Sequence, residues 1–261
     1  MVRALGVIPA RFASTRFPGK PLASLGDRTL IERVVARVRS ATRLERVIVA
    51  TDDPRIADVC RSSGAEVRLT SADHASGTDR VAEVAREAAS SYDVVVNVQG
   101  DEPFVTPTSL DLLVGTLEDD ETIEIATLYE PVERMEELFD RNVVKVVTDL
   151  RGRALYFSRS PIPYWAGDPS APDLRSALGS RPGGLDGFFK HQGVYAYRTS
   201  ALLALTSMPP SPLERDEALE QLRALQAGLA IRVLRSDFRS VGVDTPADLE
   251  RAVALLGESH A

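Results

Sequence analysis

The chain has 261 residues, 44% of them hydrophobic and 26% charged, which suits one large α/β domain or one domain with a small appendage. Its net charge of −7 argues against a general nucleic-acid-binding protein. No apolar run approaches the length of a membrane span and no signal-peptide pattern opens the chain, so we expect a cytoplasmic protein with neither nucleic acid nor a membrane as partner.

The first strand and the loop after it are the most informative part of the chain. Residues Ala4 to Ile8 predict a short buried strand, and Pro9 is expected to end it because proline cannot donate to a central ladder. The next loop carries three cations, Arg11, Arg16 and Lys20, among small and hydroxylated residues. Such a loop at a strand end suits a polyphosphate. A solvated basic loop is the alternative, but the position between a strand and a helical pattern favours phosphate binding.

This loop matches neither of the two common phosphate-binding motifs. The chain contains no G-x-x-x-x-G-K-[ST] and no G-x-G-x-x-G sequence. These absences argue against P-loop kinases and ordinary dinucleotide enzymes.

Strand-like and helix-like segments alternate through the first half of the chain. Apolar runs at Val47 to Ala50 and Tyr92 to Val98 predict strands, and apolar stripes within Leu30 to Val38 and Val81 to Ala88 predict helices. This alternation predicts a mostly parallel sheet with right-handed crossovers. Ligands of such sheets bind beyond the carboxyl ends of the strands, so the polar loops at those ends are expected to share one crevice.

Three helix starts are marked by a capping residue followed by proline, and the single cysteine lies in a predicted helix. Asp53-Pro54, Thr106-Pro107 and Thr245-Pro246 each place a capping residue before a proline suited to the first helical position. Cys60 lies in an apolar-periodic stretch, so we interpret it as buried packing material and not as a nucleophile.

The middle of the chain departs from this alternation. A Pro-, Gly- and Ser-rich stretch from Ala166 to Gly187 is interpreted as a loop or small excursion that could reach a second subunit. Regular structure is expected to resume with a helix from about Pro212 to Ala227, a strand at Ile231 to Leu234 and a closing helix. We therefore predict a single domain over residues 1–261.

Two acidic residues are candidates for a metal site. Asp101 lies in Gln99-Gly100-Asp101-Glu102-Pro103, directly after a buried strand. Mg²⁺ takes one or two protein carboxylates together with phosphate oxygens, so this acid suits a site opposite a basic loop. The composition of the motif favours a simple turn equally well. The second acid, Asp244, precedes a helix start, where an acidic residue is common for structural reasons alone.

The remaining polar candidates have weaker patterns. The three histidines lack zinc-ligand spacing, and no CxxC accompanies them. Ser76, Gly77 and Thr78 precede a helical pattern and could bind a nucleoside or merely cap the helix. His191 suits a polar pocket as well as a surface position. By spacing alone, Glu214, Glu220 and Gln221 would lie largely on a solvated helix face.

Taken together, these segments closely resemble the 3-deoxy-manno-octulosonate (KDO) cytidylyltransferase family, also called CMP-KDO synthetases. The resemblance runs from about Gly6 to Leu256 and depends on many ordered matches. The matching segments are Ile8 to Arg16, Pro18 to Leu22, Val49 to Asp52, Ala72 to His74, Ser76 to Thr78, Val96 to Pro103, Leu155 to Arg159, His191, Gly193 to Tyr195, Ser211 to Glu214, Leu219 to Arg223 and Gly242 to Pro246. The segment from Tyr164 to Phe188 follows no pattern that can be aligned.

The resemblance implies a Rossmann-like α/β fold of the nucleotide-diphospho-sugar transferase type, with a mostly parallel sheet flanked by helices and a small dimerisation excursion. It also implies that residues at about 142–197 contain a sugar-pocket or dimerisation subregion. It also implies a homodimer and a Mg²⁺-dependent reaction in which CTP and KDO give CMP-KDO and pyrophosphate, activating KDO for lipopolysaccharide synthesis. Two alternatives remain at this point. The chain could activate a related sugar acid, such as an 8-amino KDO analogue or a nonulosonate, or it could be a non-catalytic nucleotide-binding module.

The resemblance also assigns roles to individual residues. Catalysis falls to Arg11, Lys20, Asp101 and Asp244, of which Asp101 and Asp244 would bind Mg²⁺. The nucleotide would be bound by Pro9, Ala10, Arg11, Arg16, Lys20, Ser76, Gly77 and Thr78. The sugar acid would be bound by Gln99, Arg159, His191, Tyr195, Glu214, Glu220 and Gln221. The planar fork of Arg159 suits the sugar carboxylate because it can bind a carboxylate through two parallel hydrogen bonds.

Overall fold

The structure is a computed structural model that describes residues 2–13, 17–167 and 170–258. The chain folds into two compact units: unit 1 comprises Met1–Glu121, Val194–Met208 and Asp237–Ala261, and unit 2 comprises Thr122–Gly193 and Pro209–Ser236. Residues 142–193 of the predicted subregion belong to unit 2, which begins earlier in the chain and also takes in residues 209–236. The single-domain prediction itself stays a prediction. No helix within the described ranges is long and apolar enough to cross a bilayer.

Strands and helices are numbered in chain order. The strands are β1 (Ala4–Ala10), β2 (Ser24–Leu25), β3 (Arg28–Thr29), β4 (Arg46–Thr51), β5 (Glu66–Leu69), β6 (Val94–Asn97), β7 (Ile125–Pro131), β8 (Lys145–Thr148), β9 (Ala154–Ser158), β10 (Phe189–Arg198) and β11 (Ile231–Arg235). The helices are α1 (Leu30–Arg39), α2 (Pro54–Ser62), α3 (Gly77–Ala88), α4 (Pro107–Asp119), α5 (Met135–Phe139), α6 (Leu174–Gly179), α7 (Thr199–Ser207), α8 (Pro212–Glu217), α9 (Gln221–Gln226) and α10 (Pro246–Glu258). A 3₁₀ turn covers Lys20–Leu22.

Unit 1 contains the mostly parallel sheet that the alternation of segments predicts. β1 lies between β4 and β6 and is parallel to both, and β5 extends the sheet parallel to β4. Residues 195–198 of β10 pair antiparallel with β6. Every residue of β1 and β6 is buried, as expected for parallel strands with helices on both faces. The predicted fold class is confirmed.

β1 does not end at Pro9, contrary to the prediction. Pro9 and Ala10 continue the ladder with β4, opposite Ala50 and Thr51. The Val98 N–H donates to the Val7 carbonyl, so the polar groups of Val7 face β6, and those of Pro9 face the same side two residues later. The pairing of β1 with β6 stops at Val7, so the missing N–H of Pro9 leaves no ladder bond unmade.

The predicted helix starts are confirmed. α2 begins at Pro54 and α4 at Pro107, where the Asp53 carboxylate and the Thr106 hydroxyl accept backbone N–H bonds of the first turn. α10 begins at Pro246. Cys60 lies in α2 and is fully buried, and this burial, assisted by the negative charge of Glu32, raises the pKa of its thiol to about 11. The interpretation of Cys60 as packing material agrees with this burial.

Unit 2 is built on a second group of strands. β7 is parallel to β11 and neighbours β10, residues 189–190 of β10 pair antiparallel with β8, and β8 forms an antiparallel hairpin with β9. The stretch from Ala166 to Gly187 is not only a loop, because it contains α6, and Leu178 of that helix packs in a buried cluster with Val132, Leu138 and Phe188. Apolar burial therefore orders part of a segment whose composition suggests a turn-rich loop.

The single helix predicted from about Pro212 to Ala227 is wrong: it is two helices, α8 and α9, separated at Ala218. Ala218 adopts φ 52° and ψ 50°, in the left-handed region. The Arg159 side chain donates to the carbonyl oxygens of Glu217 and Ala218 at 2.7 Å and 3.2 Å. These carbonyls therefore have partners outside a helix, which periodicity along the chain does not show.

We predict that Ala218→Gly stabilises the protein, because relief of about 1–2 kcal/mol of left-handed strain exceeds the extra backbone entropy of glycine. The expected gain is about 0.5–1 kcal/mol in the free energy of unfolding, measured by urea denaturation. Ala254→Gly is the control, because Ala254 is an exposed residue of α10 and the same change there should cost about 1 kcal/mol. Equal losses in both variants would contradict the strain at Ala218.

Candidate functional site

A pocket of about 250 Å³ opens at the carboxyl ends of β1 and β6 in unit 1. It is lined by Pro9, Ala10, Arg11, Lys20, Pro21, His74, Ser76, Gly77, Arg80, Gln99, Gly100, Asp101 and Asp244. Most of the residues predicted to bind the nucleotide and the metal are therefore brought together. The expectation that loops at the strand ends share a crevice is confirmed for the loops after these two strands.

Lys20 reaches the pocket from a turn that glycine makes possible. Gly19 has φ 73°, and its N–H donates to the Phe12 carbonyl at 3.0 Å. A Cβ atom at Gly19 would lie 3.0 Å from the Phe12 ring, so a larger residue would meet both backbone strain and crowding. Arg11 lines the pocket with an exposed side chain. Arg16, the third predicted cation, lies outside the described residues.

The centre of the site is an ion-paired group of three side chains. Lys20 Nζ lies 2.6 Å from Asp101 Oδ2 and 3.1 Å from Asp244 Oδ1. Burial alone lowers the pKa of Lys20, but the two carboxylates outweigh it, so the pKa is raised above its ordinary value. Lys20 is therefore a permanent cation at neutral pH, and it holds together two acids that would otherwise repel each other.

The two acids form a donor set that suits Mg²⁺. Both present a carboxylate oxygen to the same point, which the Lys20 ammonium now occupies as a cation. Within the described ranges there is no group of three or more His, Cys, Asp or Glu side chains that could hold a metal. One or two carboxylates serve Mg²⁺ when phosphate oxygens and water complete its shell, so the residues present fit this ion.

Gly100 allows the loop after β6 to lie directly against β1. A Cβ atom at Gly100 would be 3.0 Å from the Pro9 carbonyl oxygen and 3.3 Å from Ile31 Cδ1. Any side chain here would push the loop away from the strand. The close approach sets the position of Asp101, the next residue, at the pocket.

The N-terminus of α3 forms a further wall of the pocket. Ser76 both caps the helix, by accepting the Asp79 N–H at 3.1 Å, and lines the pocket, so the two predicted roles are compatible. A Cβ atom at Gly77 would lie 3.5 Å from Pro9 Cγ, which shows how closely helix and strand approach. Thr78 lies in the first turn but does not line the pocket. The helix N-terminus favours an anion here.

Sequence reasoning missed four lining residues, Pro21, His74, Arg80 and Gly100, of which His74 and Arg80 have polar side chains. His74 Nε2 is hydrogen-bonded to Glu83. Arg80 is almost fully buried in α3, donates to the Thr70 hydroxyl and lies 3.2 Å from Asp52 Oδ1. His74 belongs to the segment Ala72 to His74 that carries the family resemblance, so the sequence did contain a signal for it. Arg80 lies within a helical pattern, where a buried arginine gives no signal of its own.

Gln99 and Tyr195 were predicted to bind the sugar acid. Gln99 lines the same pocket as the nucleotide-binding candidates, and its Nε2 donates to Asn97 Oδ1 at 3.1 Å. Tyr195 lies opposite Asn97 in the pairing of β10 with β6, with its ring 5.5 Å from that of Tyr197. Their roles toward a sugar stay predictions.

The Arg159 guanidinium is occupied by backbone carbonyls in unit 2. Its Nε and Nη2 donate to the carbonyls of Glu217 and Ala218, and its Nη1 donates to the Arg141 carbonyl at 2.9 Å. The Arg159 N–H donates to Glu217 Oε2 at 2.9 Å, and the fully buried Lys145 donates to the Arg159 carbonyl at 2.6 Å. In this structure the fork connects loops, and these carbonyls use three of the five N–H donors of the guanidinium.

His191 is a neutral hydrogen-bonding group. Its Nε2 lies 2.9 Å from Thr127 Oγ1, and Phe157 lies edge-on with ring centroids 5.0 Å apart. Thr127 Oγ1 also lies 3.2 Å from the Gln192 carbonyl, which can only accept, so the hydroxyl proton points there and His191 Nε2 is the donor. Removal from solvent lowers the pKa of the imidazole to about 3.

The predicted residues on α8 and α9 are less exposed than their spacing suggests. Glu214 is buried, forms a capping box with Ser211 and is ion-paired with Arg223, whose hydrogen bond holds the pKa of the carboxyl below its ordinary value. Gln221 is 8% exposed, and Glu220 precedes it as the N-cap of α9. These contacts place all three in unit 2 without testing a role toward a sugar.

Comparison with known proteins identifies the family. A family model described as Cytidylyltransferase matches residues 5–232. The 3-deoxy-manno-octulosonate cytidylyltransferase of Syntrophotalea carbinolica is 52% identical over 96% of this chain and 97% of that protein. The protein of the same name from Solibacter usitatus is 47% identical over 98% of this chain and 96% of its own length.

A solved structure gives the same result. The structure of a CMP:2-keto-3-deoxy-manno-octonic acid synthetase complexed with CTP matches with a TM-score of 0.87 and 38% identity, over 98% of this chain and 99% of that one. The sheet, its pocket and these matches define the class as a cytidylyltransferase. Within that class, the chain belongs to the 3-deoxy-manno-octulosonate cytidylyltransferase family, which confirms the resemblance in the sequence.

We predict that His191 makes the protein less stable in acid. Because its folded pKa of about 3 is below the ordinary value of 6.5, the unfolded state binds the proton first, and stability is lost as pH falls below 6.5. Urea denaturation of the wild type and of His191→Gln should show their difference in unfolding free energy shrinking by about 2 kcal/mol between pH 7.5 and pH 5. Parallel pH curves for the two proteins would contradict an imidazole that stays neutral in the folded state.

Proposed function

We propose that this chain transfers CMP from CTP to KDO, forming CMP-KDO and pyrophosphate. The observation that carries the proposal is the group of Lys20, Asp101 and Asp244 at the pocket, in a chain 52% identical to a 3-deoxy-manno-octulosonate cytidylyltransferase. A triphosphate needs cations, and a divalent ion needs acids, so this group can serve both. The reaction would supply an activated sugar acid for lipopolysaccharide synthesis in the cytoplasm.

The nucleotide would lie with its phosphates against the first loop. Lys20 and Arg11 supply positive charge, with Arg16 assigned to the same role from the sequence. The backbone N–H groups at the N-terminus of α3, beginning at Gly77, add donors. Reaction at the α-phosphorus releases pyrophosphate, so the main contribution of these groups is positioning and neutralisation of charge on the leaving group.

Asp101 and Asp244 would hold Mg²⁺ once the phosphates draw Lys20 away from them. When bound, this ion neutralises phosphate charge and lowers the pKa of a coordinated hydroxyl. The attacking group is the anomeric 2-hydroxyl of the sugar acid, and its proton is lost as the new oxygen–phosphorus bond forms. His191 is not the base we propose for that proton, because it does not line the pocket and its pKa of about 3 makes it a weak proton acceptor.

The partners we propose are CTP, KDO and a second copy of the chain. Unit 2 exposes large apolar side chains, with Leu155 61% and Tyr164 72% accessible, which supports a homodimer without identifying its interface. Neither a nucleic acid nor a membrane is part of the proposal.

The substrate is tested by mixing the protein with CTP, Mg²⁺ and one sugar acid at a time, and measuring pyrophosphate. We expect KDO to be used with the highest kcat/KM. The phosphate of a neutral sugar should not be used as an acceptor. A higher kcat/KM for an 8-amino KDO analogue or a nonulosonate would replace KDO as the substrate. Tight CTP binding without pyrophosphate release from any mixture would favour the non-catalytic module.

The two acids are tested by Asp101→Asn and Asp244→Asn. Each change keeps the shape of the side chain but removes one negative charge, so kcat should fall by about 100-fold or more with the fold intact. Lys20 keeps one acid in either variant, and circular dichroism and Tm should confirm folding. Asp58→Asn is the control, since Asp58 is an exposed residue of α2 that does not line the pocket. Near-wild-type rates at saturating Mg²⁺ would remove the two-acid metal site from the proposal.

A further inference from the structure

Asp244 is carried by a segment without regular structure. Residues 237–244, here called the return segment, precede α10 in unit 1, and all of them are described without a helix or strand assignment. Asp101, by contrast, follows the end of β6 closely. Since no ladder of backbone hydrogen bonds fixes the return segment, the position of Asp244 depends on individual contacts.

Side-chain contacts attach the return segment to the region after β6 at two points. The Asp237 carboxylate accepts hydrogen bonds from the Thr106 hydroxyl and, at 2.6 Å, from the Ser109 hydroxyl. Closer to the site, Ser240 Oγ lies 2.9 Å and 2.8 Å from the two carboxylate oxygens of Glu102. A hydroxyl with one proton donates to one of these oxygens at a time, and a charged acceptor makes that bond strong.

A third attachment lies next to the acids themselves. The Val243 N–H donates to the Asp101 carbonyl at 3.1 Å. The Val243 side chain is fully buried in a cluster with Leu25, Leu30 and Ala252. These contacts join the backbone before Asp244 to the backbone of Asp101.

Glu102 contacts both the turn at the pocket, through its backbone, and the return segment, through its side chain. It follows Asp101 directly, and its N–H donates to the Gln99 carbonyl at 3.1 Å, which fixes the turn at the pocket. Its side chain is 8% exposed and points to the return segment, where a Cβ atom at Gly242 would lie 3.6 Å from Glu102 Oε1. Glu102 does not line the pocket, so direct contact with a ligand there is not its role.

The contacts that hold the return segment have their largest effect on the position of Asp244 when Lys20 is no longer paired with the two acids. In this structure Lys20 offsets the repulsion between Asp101 and Asp244. If a triphosphate takes up the Lys20 charge, the two carboxylates repel each other until a divalent cation binds. Asp244 is the more exposed of the two. Its backbone is held on one side by α10, where its N–H donates to Asp248 Oδ2 at 3.1 Å, and on the other by the return segment, so release of that segment would let the carboxylate move away from Asp101.

We infer that Glu102 is a positioning residue which, through Ser240, holds Asp244 opposite Asp101 and so preorganises the pair for a divalent cation. The inference rests on the proposed function for the identity of the cation and the nucleotide. Groups that are hydrogen-bonded directly to the ligands of a metal site typically change metal affinity by about 10–100-fold when they are removed, and Glu102 and Ser240 act one step further away, so we expect the lower end of that range. Glu102 and Ser240 therefore determine how tightly the cation binds, whereas the acids determine whether it binds.

The test measures cation binding without turnover. Mn²⁺ is titrated into the protein with no sugar acid and with CTP kept below the protein concentration, so that little unbound nucleotide competes for the ion, and the free ion is followed by electron paramagnetic resonance. We expect Ser240→Ala to weaken Mn²⁺ by about 10-fold and Ser240→Thr, which keeps the hydroxyl, to restore most of the affinity. Ser207→Ala is the control, because the Ser207 hydroxyl bonds only within α7, to the Leu203 carbonyl.

Substitutions of Glu102, the partner of Ser240, test the same hydrogen bond. Glu102→Gln keeps an acceptor for Ser240 and should lose less Mn²⁺ affinity than Glu102→Ala. In activity assays, Ser240→Ala should raise the Mg²⁺ concentration needed for half-maximal rate, with kcat at saturating Mg²⁺ within about 2-fold of the wild type. A variant that merely loosened the fold would lower Tm and would not be rescued by threonine or by added Mg²⁺.

Wild-type Mn²⁺ affinity in a folded Ser240→Ala protein would overturn the inference. The comparison of Ser240→Ala with Ser240→Thr tests the inference even if Glu102→Ala does not fold. Asp244→Asn must lose Mn²⁺ affinity in the same titration, and its retention would overturn both the inference and the proposed metal site. Failure of the wild type to use KDO, with Mn²⁺ affinity still dependent on Ser240, would overturn the proposed substrate and leave the inference standing.

Discussion

The ion-paired group of Lys20, Asp101 and Asp244 is the constraint to which much of unit 1 is fitted. Its members come from the loop after β1, the loop after β6 and the segment before α10, so distant parts of the sequence must meet within hydrogen-bond distance. A partly buried cation between two acids is stable only with close geometry, because desolvation otherwise exceeds the attraction. The close approach at Gly100 and the left-handed turn at Gly19 both serve that geometry.

Two cations of unit 2, Lys145 and Arg159, are stabilised in a different way, although Lys190 of the same unit is paired with the acids Glu130 and Glu137. Lys145 donates to three backbone carbonyls, those of Asp140, Val143 and Arg159, and Arg159 in turn donates to three further carbonyls. Carbonyl oxygens stabilise these side chains without a full negative charge, so the pKa of Lys145 is lowered by burial, to about 8, where that of Lys20 is raised by acids. One lysine thus joins loops through carbonyl oxygens, whereas another balances two acids.

Much of the fold could be predicted because it follows from local pattern. Buried strands, amphipathic helices and capped helix starts such as Thr106-Pro107 are encoded within a few residues. The errors concern partners that are distant in sequence. Pro9 stays in its strand because β6 has already ended beside it, and the helix breaks at Ala218 where Arg159 takes its carbonyl. Periodicity along one segment contains neither fact.

For the candidate site too, the sequence identified individual residues but not the contacts between them. Charge type and position after a strand were enough to select Lys20 and Asp101 as functional candidates. The sequence did not show that these two residues are paired with each other and with Asp244, nor that Arg80 is buried beside them. Motif resemblance supplied the roles, whereas distances required the fold.

The burial of Cys60 has a practical consequence for measurements of motion in this enzyme. A thiol with a pKa of about 11 is ionised to only about one part in ten thousand at pH 7, and only the thiolate reacts with maleimides or iodoacetamides. Because Cys60 is the single cysteine and is fully buried, a cysteine introduced at a solvent-exposed position would be the one that takes up a fluorophore. Site-specific labelling can thus be carried out on the otherwise natural sequence, with the packing around α2 left undisturbed.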